Sequence, residues 1–145
     1  MKPYPHHYRV SATAAPTGSV ALESEGLPPM VSASPAEFDG PGDLWSPETL
    51  LVAAIADCYL LTFRAVARAA NLAWVTLDCD VEGLLERVDG KAHFTGFVLY
   101  AYLRAPAGTD EERARHALHK AESACLISNS LVGSKRLEVV VEIVG

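Results

Sequence analysis

Two cysteines and one glutamate are the residues most able to do chemistry here. Cys58 lies inside a run that opens Ser46-Pro47-Glu48-Thr49 and continues without Gly or Pro to Ala70. Cys125 closes a later stretch whose apolar residues fall at 114, 117, 118 and 121. A thiolate is a nucleophile toward peroxides and disulfides. Two thiols that meet can pass through a sulfenic acid to a disulfide and be reopened by exchange. Such pairing needs Cα atoms within about 7 Å, hence close packing of the segments that carry them.

The other candidates are weaker. Glu48 has two readings: a carboxylate complementing the positive end of a helix, or an orienting carboxylate that holds a cation near the thiol. Cys79 sits in Asp78-Cys79-Asp80, where acidic neighbours raise a thiol pKa, so it is expected to be inert. His6 and His7 lie near a terminus, and His116 and His119 lack a Cys or carboxylate completing a ligand set, so no metal site is expected. No Gly-rich phosphate loop, nucleophile elbow or H-E-x-x-H motif is present, and no cofactor is expected.

The elements that must position these thiols follow from pattern. Tyr8, Val10 and Ala12 alternate with polar residues, and a second strand at 19–23 follows Pro16-Thr17-Gly18, predicting a hairpin. Residues 26–45, rich in Pro and Gly, leave room for one short strand at 30–33 in a long ordered loop. Phe38, Leu44 and Trp45 in it are either an apolar wall for an alkyl substrate or plain loop anchors. Ser46 as cap and Pro47 as first helical residue start a helix from Thr49 to about Ala70, stopped at Asn71. Cys58 is expected on a core-facing stripe with Leu51, Ala54, Ile55, Leu61, Thr62 and Ala65. Strands at 75–88 and 93–103 flank the turn Asp89-Gly90-Lys91. Thr109 and Glu112 then read as a capping box for a second helix, whose stripe of Ala114, Ala117, Leu118, Ala121, Ala124 and Cys125 faces inward. A last strand at 137–144 reads as apolar on both faces. Both Cys-bearing faces are rich in Ala, which permits close helix approach.

Composition narrows the class. The chain has 145 residues, half of them apolar, enough for a single domain spanning 1–145. A formal net charge of -6 without a Lys/Arg cluster argues against nucleic acid and anionic membrane partners. The N-terminus lacks a signal-like apolar region, and Asp57 interrupts the most apolar stretch, 50–61, so no membrane span and a cytoplasmic protein are expected. Three scattered cysteines do not make a secreted disulfide framework.

Residues 46–58, Ser-Pro-Glu-Thr-Leu-Leu-Val-Ala-Ala-Ile-Ala-Asp-Cys, resemble the first cysteine motif of the OsmC/Ohr family, with a Glu ten residues before the Cys. Residues 124–130, Ala-Cys-Leu-Ile-Ser-Asn-Ser, are similar to its second. The order of elements matches over nearly the whole chain. The resemblance implies an α+β fold of antiparallel β-hairpins packed around two central helices, in an intertwined homodimer. It also implies a peroxidase that reduces organic hydroperoxides, with Cys58 attacking, Cys125 resolving, Glu48 supporting the thiol and an external dithiol as reductant. Two departures stand out. The family usually carries an activating Arg in the N-terminal hairpin turn, which here reads Ala14-Ala15-Pro16-Thr17-Gly18, and Leu126 stands where many members have Pro. At a pKa of about 8.5 only about 3% of a thiol is ionised at neutral pH, against about three quarters at 6.5, so losing the activator costs over roughly tenfold in nucleophile. Arg64 and Arg9 are the cations considered as substitutes. The rival readings are a catalytically silent dimeric binding or interaction module and, more distantly, a Cys/His metal-binding protein.

Overall fold

In the computed structural model, which describes residues 1–145, the chain divides into two compact units, Met1–Leu51 and Val52–Gly145. The first holds an antiparallel meander of β1 (Ser11–Thr13), β2 (Val20–Glu23) and β3 (Met30–Ser32). Ala12 stands opposite Leu22, and Ala21 opposite Val31. The expected hairpin forms, but its first strand starts only at Ser11, leaving Tyr8 and Val10 exposed. The long loop after β3 makes a single 3-10 turn (Ala36–Phe38), and the Ala33 N–H ties it back to the Trp45 carbonyl at 3.0 Å. Phe38, Leu44 and Trp45 are 53%, 41% and 53% exposed, so none of them anchors the loop by burial.

Helix α1 (Pro47–Ala69) starts in that unit and runs on into the second. Its first turn is a reciprocal cap. The Thr49 N–H donates to Ser46 Oγ at 3.1 Å, and the Ser46 N–H donates to Thr49 Oγ1 at 2.9 Å. The helix stops as expected at Asn71, whose φ of 56° lets the Leu72 N–H reach back to the Ala67 carbonyl at 2.9 Å.

The second unit is built on β4 (Thr76–Val88) and β5 (Lys91–Pro106), joined through Asp89 and Gly90, both at positive φ as a two-residue hairpin turn demands. The register slips between Leu84 and Leu85, so that Thr95 bulges out. Helix α2 (Glu111–Ala124) and the short α3 (Leu126–Asn129) then cross over to β6 (Ser134–Val144), which pairs with β5 in parallel, Leu99 opposite Leu137. Two expectations change. The cap of α2 is Asp110, not Thr109, because its carboxylate accepts from the Glu112 and Arg113 N–H groups at 2.9 and 3.3 Å. Strand β6 alternates half-buried and exposed residues over most of its length instead of being covered on both faces.

One core holds this unit together. Ile55, Tyr59, Phe63 and Ala67 of α1 pack with Phe97, Leu99, Ala101 and Leu103 of β5 and with Ala114, Ala117, Leu118 and Ala121 of α2. Each large side chain so buried contributes about 1.5–3 kcal/mol. Gly83 on β4 permits the close approach of α1, since a Cβ there would stand 3.0 Å from both Val52 Cγ2 and Phe94 Cε1. The buried stripe of α1 is centred on Tyr59, not on the expected stripe through Cys58; Leu61 and Ala65 of the latter are exposed. On α2, Ala124 is likewise exposed.

The expectation that no segment could span a membrane does not hold by length and composition. Helix α1 has 23 residues and an 18-residue window of mean hydropathy 1.8, Asp57 notwithstanding, and 22% of that window is buried. Its Ile55-Tyr59-Phe63-Ala67 stripe is nonetheless a packed core element.

Candidate active site

Cys58 lies at the edge of the buried stripe of α1, one residue before Tyr59, and Cys125 lies at the junction where α2 ends and α3 begins. Cys125 is fully buried and Cys58 half-buried, and both are free thiols. What brings them together is the contact of α1 with α2. The fully buried Tyr59 donates its hydroxyl to the Leu118 carbonyl at 3.0 Å, fixing the two helices in register just beside Cys58. Burial also pushes the Tyr59 phenol well up, helped by Cys79, Glu122 and Cys125, so it stays a neutral donor.

The electrostatics of the two sulfurs differ in sign. Burial pushes the Cys58 thiol up, but hydrogen bonds from the Ile127 backbone N–H, the Cys125 thiol, the Thr62 hydroxyl and the Leu126 backbone N–H together outweigh it. Cys58 is thereby held below the ordinary thiol value. Thr62 stands one turn on, with its Oγ1 3.8 Å from the sulfur. For Cys125 the balance reverses: burial and the neighbouring Cys58 raise it above the ordinary value against the N–H and hydroxyl of Ser128. The first turn of α3 thus presents Leu126 and Ile127 to one sulfur and Ser128 to the other.

No cation is among the groups that lower Cys58. Arg64 is exposed on α1, and Arg9 is exposed in the first unit, where its carbonyl accepts from Ser24 Oγ at 2.9 Å. The groups that lower this thiol are the Ile127 and Leu126 N–H dipoles, the Cys125 thiol and the Thr62 hydroxyl. Glu48 occupies the first turn of α1 and is half-buried, with one carboxylate oxygen enclosed and unpartnered. Cys79 is pushed up to about 12, chiefly by burial, then by Asp80 and Cys125. The cause differs from the expected one, because Asp78 instead faces Arg104 at 3.6 Å. His116 and His119 are exposed on α2.

Sequence reasoning missed the α3 turn. Ser128 entered only as part of a motif, and Leu126 only as a departure from one. The legible signal was Cys-x-x-Ser at the end of a helix, the same spacing as the Ser46-x-x-Thr49 cap.

Comparison with known proteins gives the family and the fold. The profile of a family described as OsmC-like protein matches residues 40–140. The chain is 31% identical over 121 residues to the uncharacterized protein YmaD of Bacillus subtilis (strain 168), which covers 81% of this chain and 80% of that one. An organic hydroperoxide resistance protein OsmC from Legionella pneumophila superposes with a TM-score of 0.76 at 25% identity, covering 97% of this chain and 99% of its own. An OsmC-like protein of unknown function from Vibrio cholerae superposes at 0.83 with 17% identity, covering 94% and 100%.

Proposed function

Because this chain belongs to the OsmC-like protein family and has its α+β fold, we propose that it is a thiol-dependent peroxidase, reducing organic hydroperoxides through Cys58 and Cys125. The observation that carries the proposal is the Cys58 sulfur, set against Cys125 and lowered by the backbone of Leu126 and Ile127. A hydroperoxide substrate is supported by the name of the Legionella pneumophila relative.

The reaction has three steps. The Cys58 thiolate attacks the terminal oxygen of the hydroperoxide; the S–O bond forms, the O–O bond breaks, and the alkoxide takes a proton to leave as alcohol. Cys125 then attacks the Cys58 sulfenic sulfur, forming the disulfide and expelling hydroxide, which leaves as water with the Cys125 proton. An external dithiol reopens the disulfide by two exchanges and is itself oxidised. Glu48 is assigned to supporting the reactive thiol.

The unit of function is assigned as a homodimer. Supporting this, Leu61 on α1 and Leu126 on α3 are 53% and 64% exposed, and the apolar surface of α1 is only partly covered within one chain. The compartment is assigned as the cytoplasm, where a thiol pair meets dithiol reductants.

A silent binding module is the second reading, favoured by the missing cation in the Ala14 to Gly18 turn. Counting free thiols before and after one equivalent of cumene hydroperoxide separates the two. Loss of two thiols per chain is expected; no loss would leave the silent module.

A further inference from the structure

Ser128 is buried in the second unit, 1% exposed, and its Oγ makes no hydrogen bond while Cys125 is a thiol. A buried hydroxyl without a partner is unfavourable and calls for an explanation. The α1 cap provides a comparison. There the hydroxyl three residues after the cap accepts from the Ser46 N–H. At Cys125-x-x-Ser128 the spacing is the same, but the Cys125 N–H is already donated to the Glu122 carbonyl at 3.2 Å and the Cys125 carbonyl already accepts from Asn129 at 3.0 Å. In the α1 cap the two hydroxyls also face each other at 3.0 Å and Thr49 Oγ1 donates to the Ser46 carbonyl at 3.2 Å, whereas the Ser128 hydroxyl makes no such bond to the Cys125 carbonyl. The same cap-to-third-residue spacing sets the Ser128 hydroxyl, with its own N–H, against the Cys125 sulfur.

The geometry points to Ser128 as a positioning residue for the second half of the reaction: its hydroxyl donates to the Cys125 sulfur whenever that sulfur is anionic, as attacker on Cys58 and as leaving group when the disulfide reopens. In resolution the Cys125 proton ends on the expelled hydroxide as water, the S–S bond forms and the S–O bond breaks. Ser128 keeps its own proton throughout. In reopening, the thiolate of the external dithiol attacks Cys58, the S–S bond breaks, and Cys125 departs as a thiolate held by Ser128 until solvent protonates it.

Of the titratable groups around this sulfur, Cys58 on α1 opposes its charge, and Tyr59 on α1, Cys79 on β4 and Glu122 on α2, which acts on Tyr59, supply no positive charge. Ser128 is therefore the neighbour that favours the anion, through its N–H and its hydroxyl.

The consequence for turnover rests on the peroxidase reading; the first test does not. In a Cys58→Ala, Cys79→Ala chain, Cys125 is the sole thiol, and its ultraviolet thiolate absorbance is titrated against pH. Adding Ser128→Ala is expected to raise the midpoint by about one pH unit, a tenfold loss of thiolate at fixed pH. Ser128→Thr, which keeps a hydroxyl, should bring it back. Melting of Ser128→Ala should not fall, because an unpartnered hydroxyl has been removed. In the chain with all its cysteines, Ser128→Ala should leave the rate of Cys58 oxidation by cumene hydroperoxide unchanged and slow disulfide formation about tenfold. A midpoint that does not move overturns the role of Ser128 whether or not the protein reduces peroxides. A moved midpoint in a chain inert to cumene hydroperoxide keeps the role and removes the peroxidase.

Discussion

The Tyr59 hydroxyl donates to the Leu118 carbonyl at 3.0 Å from a fully buried position, and so joins α1 to α2 at the level of the thiols. Tyr59 follows Cys58 directly, and Leu118 lies seven residues before Cys125. The bond therefore sets how closely the two sulfurs meet. Tyr59→Phe is expected to lower unfolding free energy by about 1 kcal/mol. It should slow formation of the Cys58–Cys125 disulfide by more than it slows Cys58 oxidation. Denaturant unfolding and rapid-mixing kinetics measure the two effects; equal slowing of both steps would refute a register role.

Division of labour between the thiols is the most direct test of the peroxidase. Cys58→Ser is expected to abolish turnover. Cys125→Ser should consume about one equivalent of hydroperoxide and stall with oxygen added to Cys58, because nothing resolves the sulfenic acid. Intact-mass analysis reads both outcomes. Normal turnover of Cys125→Ser with a dithiol reductant would exclude the two-cysteine mechanism.

Opposite shifts at the thiols move their alkylation profiles apart along the pH axis, both rising with pH. Cys58 should react with iodoacetamide at lower pH than a free thiol, and Cys125 at higher pH. Stability follows from the same signs. A thiol lowered on folding stabilises above its unfolded pKa, and that contribution is lost as pH falls through the folded value. Cys79, raised to about 12, acts the other way. Its contribution is present below the unfolded value and lost as pH rises toward 12, because the folded chain retains a proton that the unfolded chain releases. Between pH 9 and 11 the chain should lose up to about 1.4 kcal/mol per pH unit on this account. Cys79→Ala should flatten that slope without changing peroxide turnover, as read by urea unfolding across the range.

For Glu48, removal of a helix-end charge alone costs about 0.3–1 kcal/mol. Glu48→Ala is expected to slow Cys58 oxidation by cumene hydroperoxide more than it lowers the melting temperature. A drop in melting temperature at an unchanged oxidation rate would reduce Glu48 to a dipole residue.

Assembly is checked by light scattering at micromolar concentration, where twice the 15.5 kDa of one chain is expected. Leu61→Glu, on the exposed side of α1, should shift the mass toward a single chain.

The fold was legible where local chemistry is strong. Ser46, Pro47 and Asn71 delimited α1, Asp89-Gly90 marked its hairpin, and the Ala stripe of α2 placed Cys125 inside. Legibility failed where tertiary contacts choose among similar options. On α1 almost every position is apolar, so periodicity could not tell the Tyr59 face from the Cys58 face; packing against Phe97 and Leu118 does. Thr109 and Asp110 are both good caps, and backbone geometry selects the second. At the site, side chains were found and backbone was not. A sequence displays its arginines, whereas the N–H groups of Leu126 and Ile127 belong to every residue type and act on the sulfur only when a turn aims them.

The parallel pairing of β6 with β5 has a consequence for how the chain reaches its reduced, ready form. The hairpin of β4 and β5 closes through two residues and can form early, whereas β6 must wait for the whole connection through α2 and α3. Cys79 rides on the early hairpin and Cys125 on the late connection. The site is thus expected to be complete only when β6 docks, the pairing that closes the longest connection in the unit.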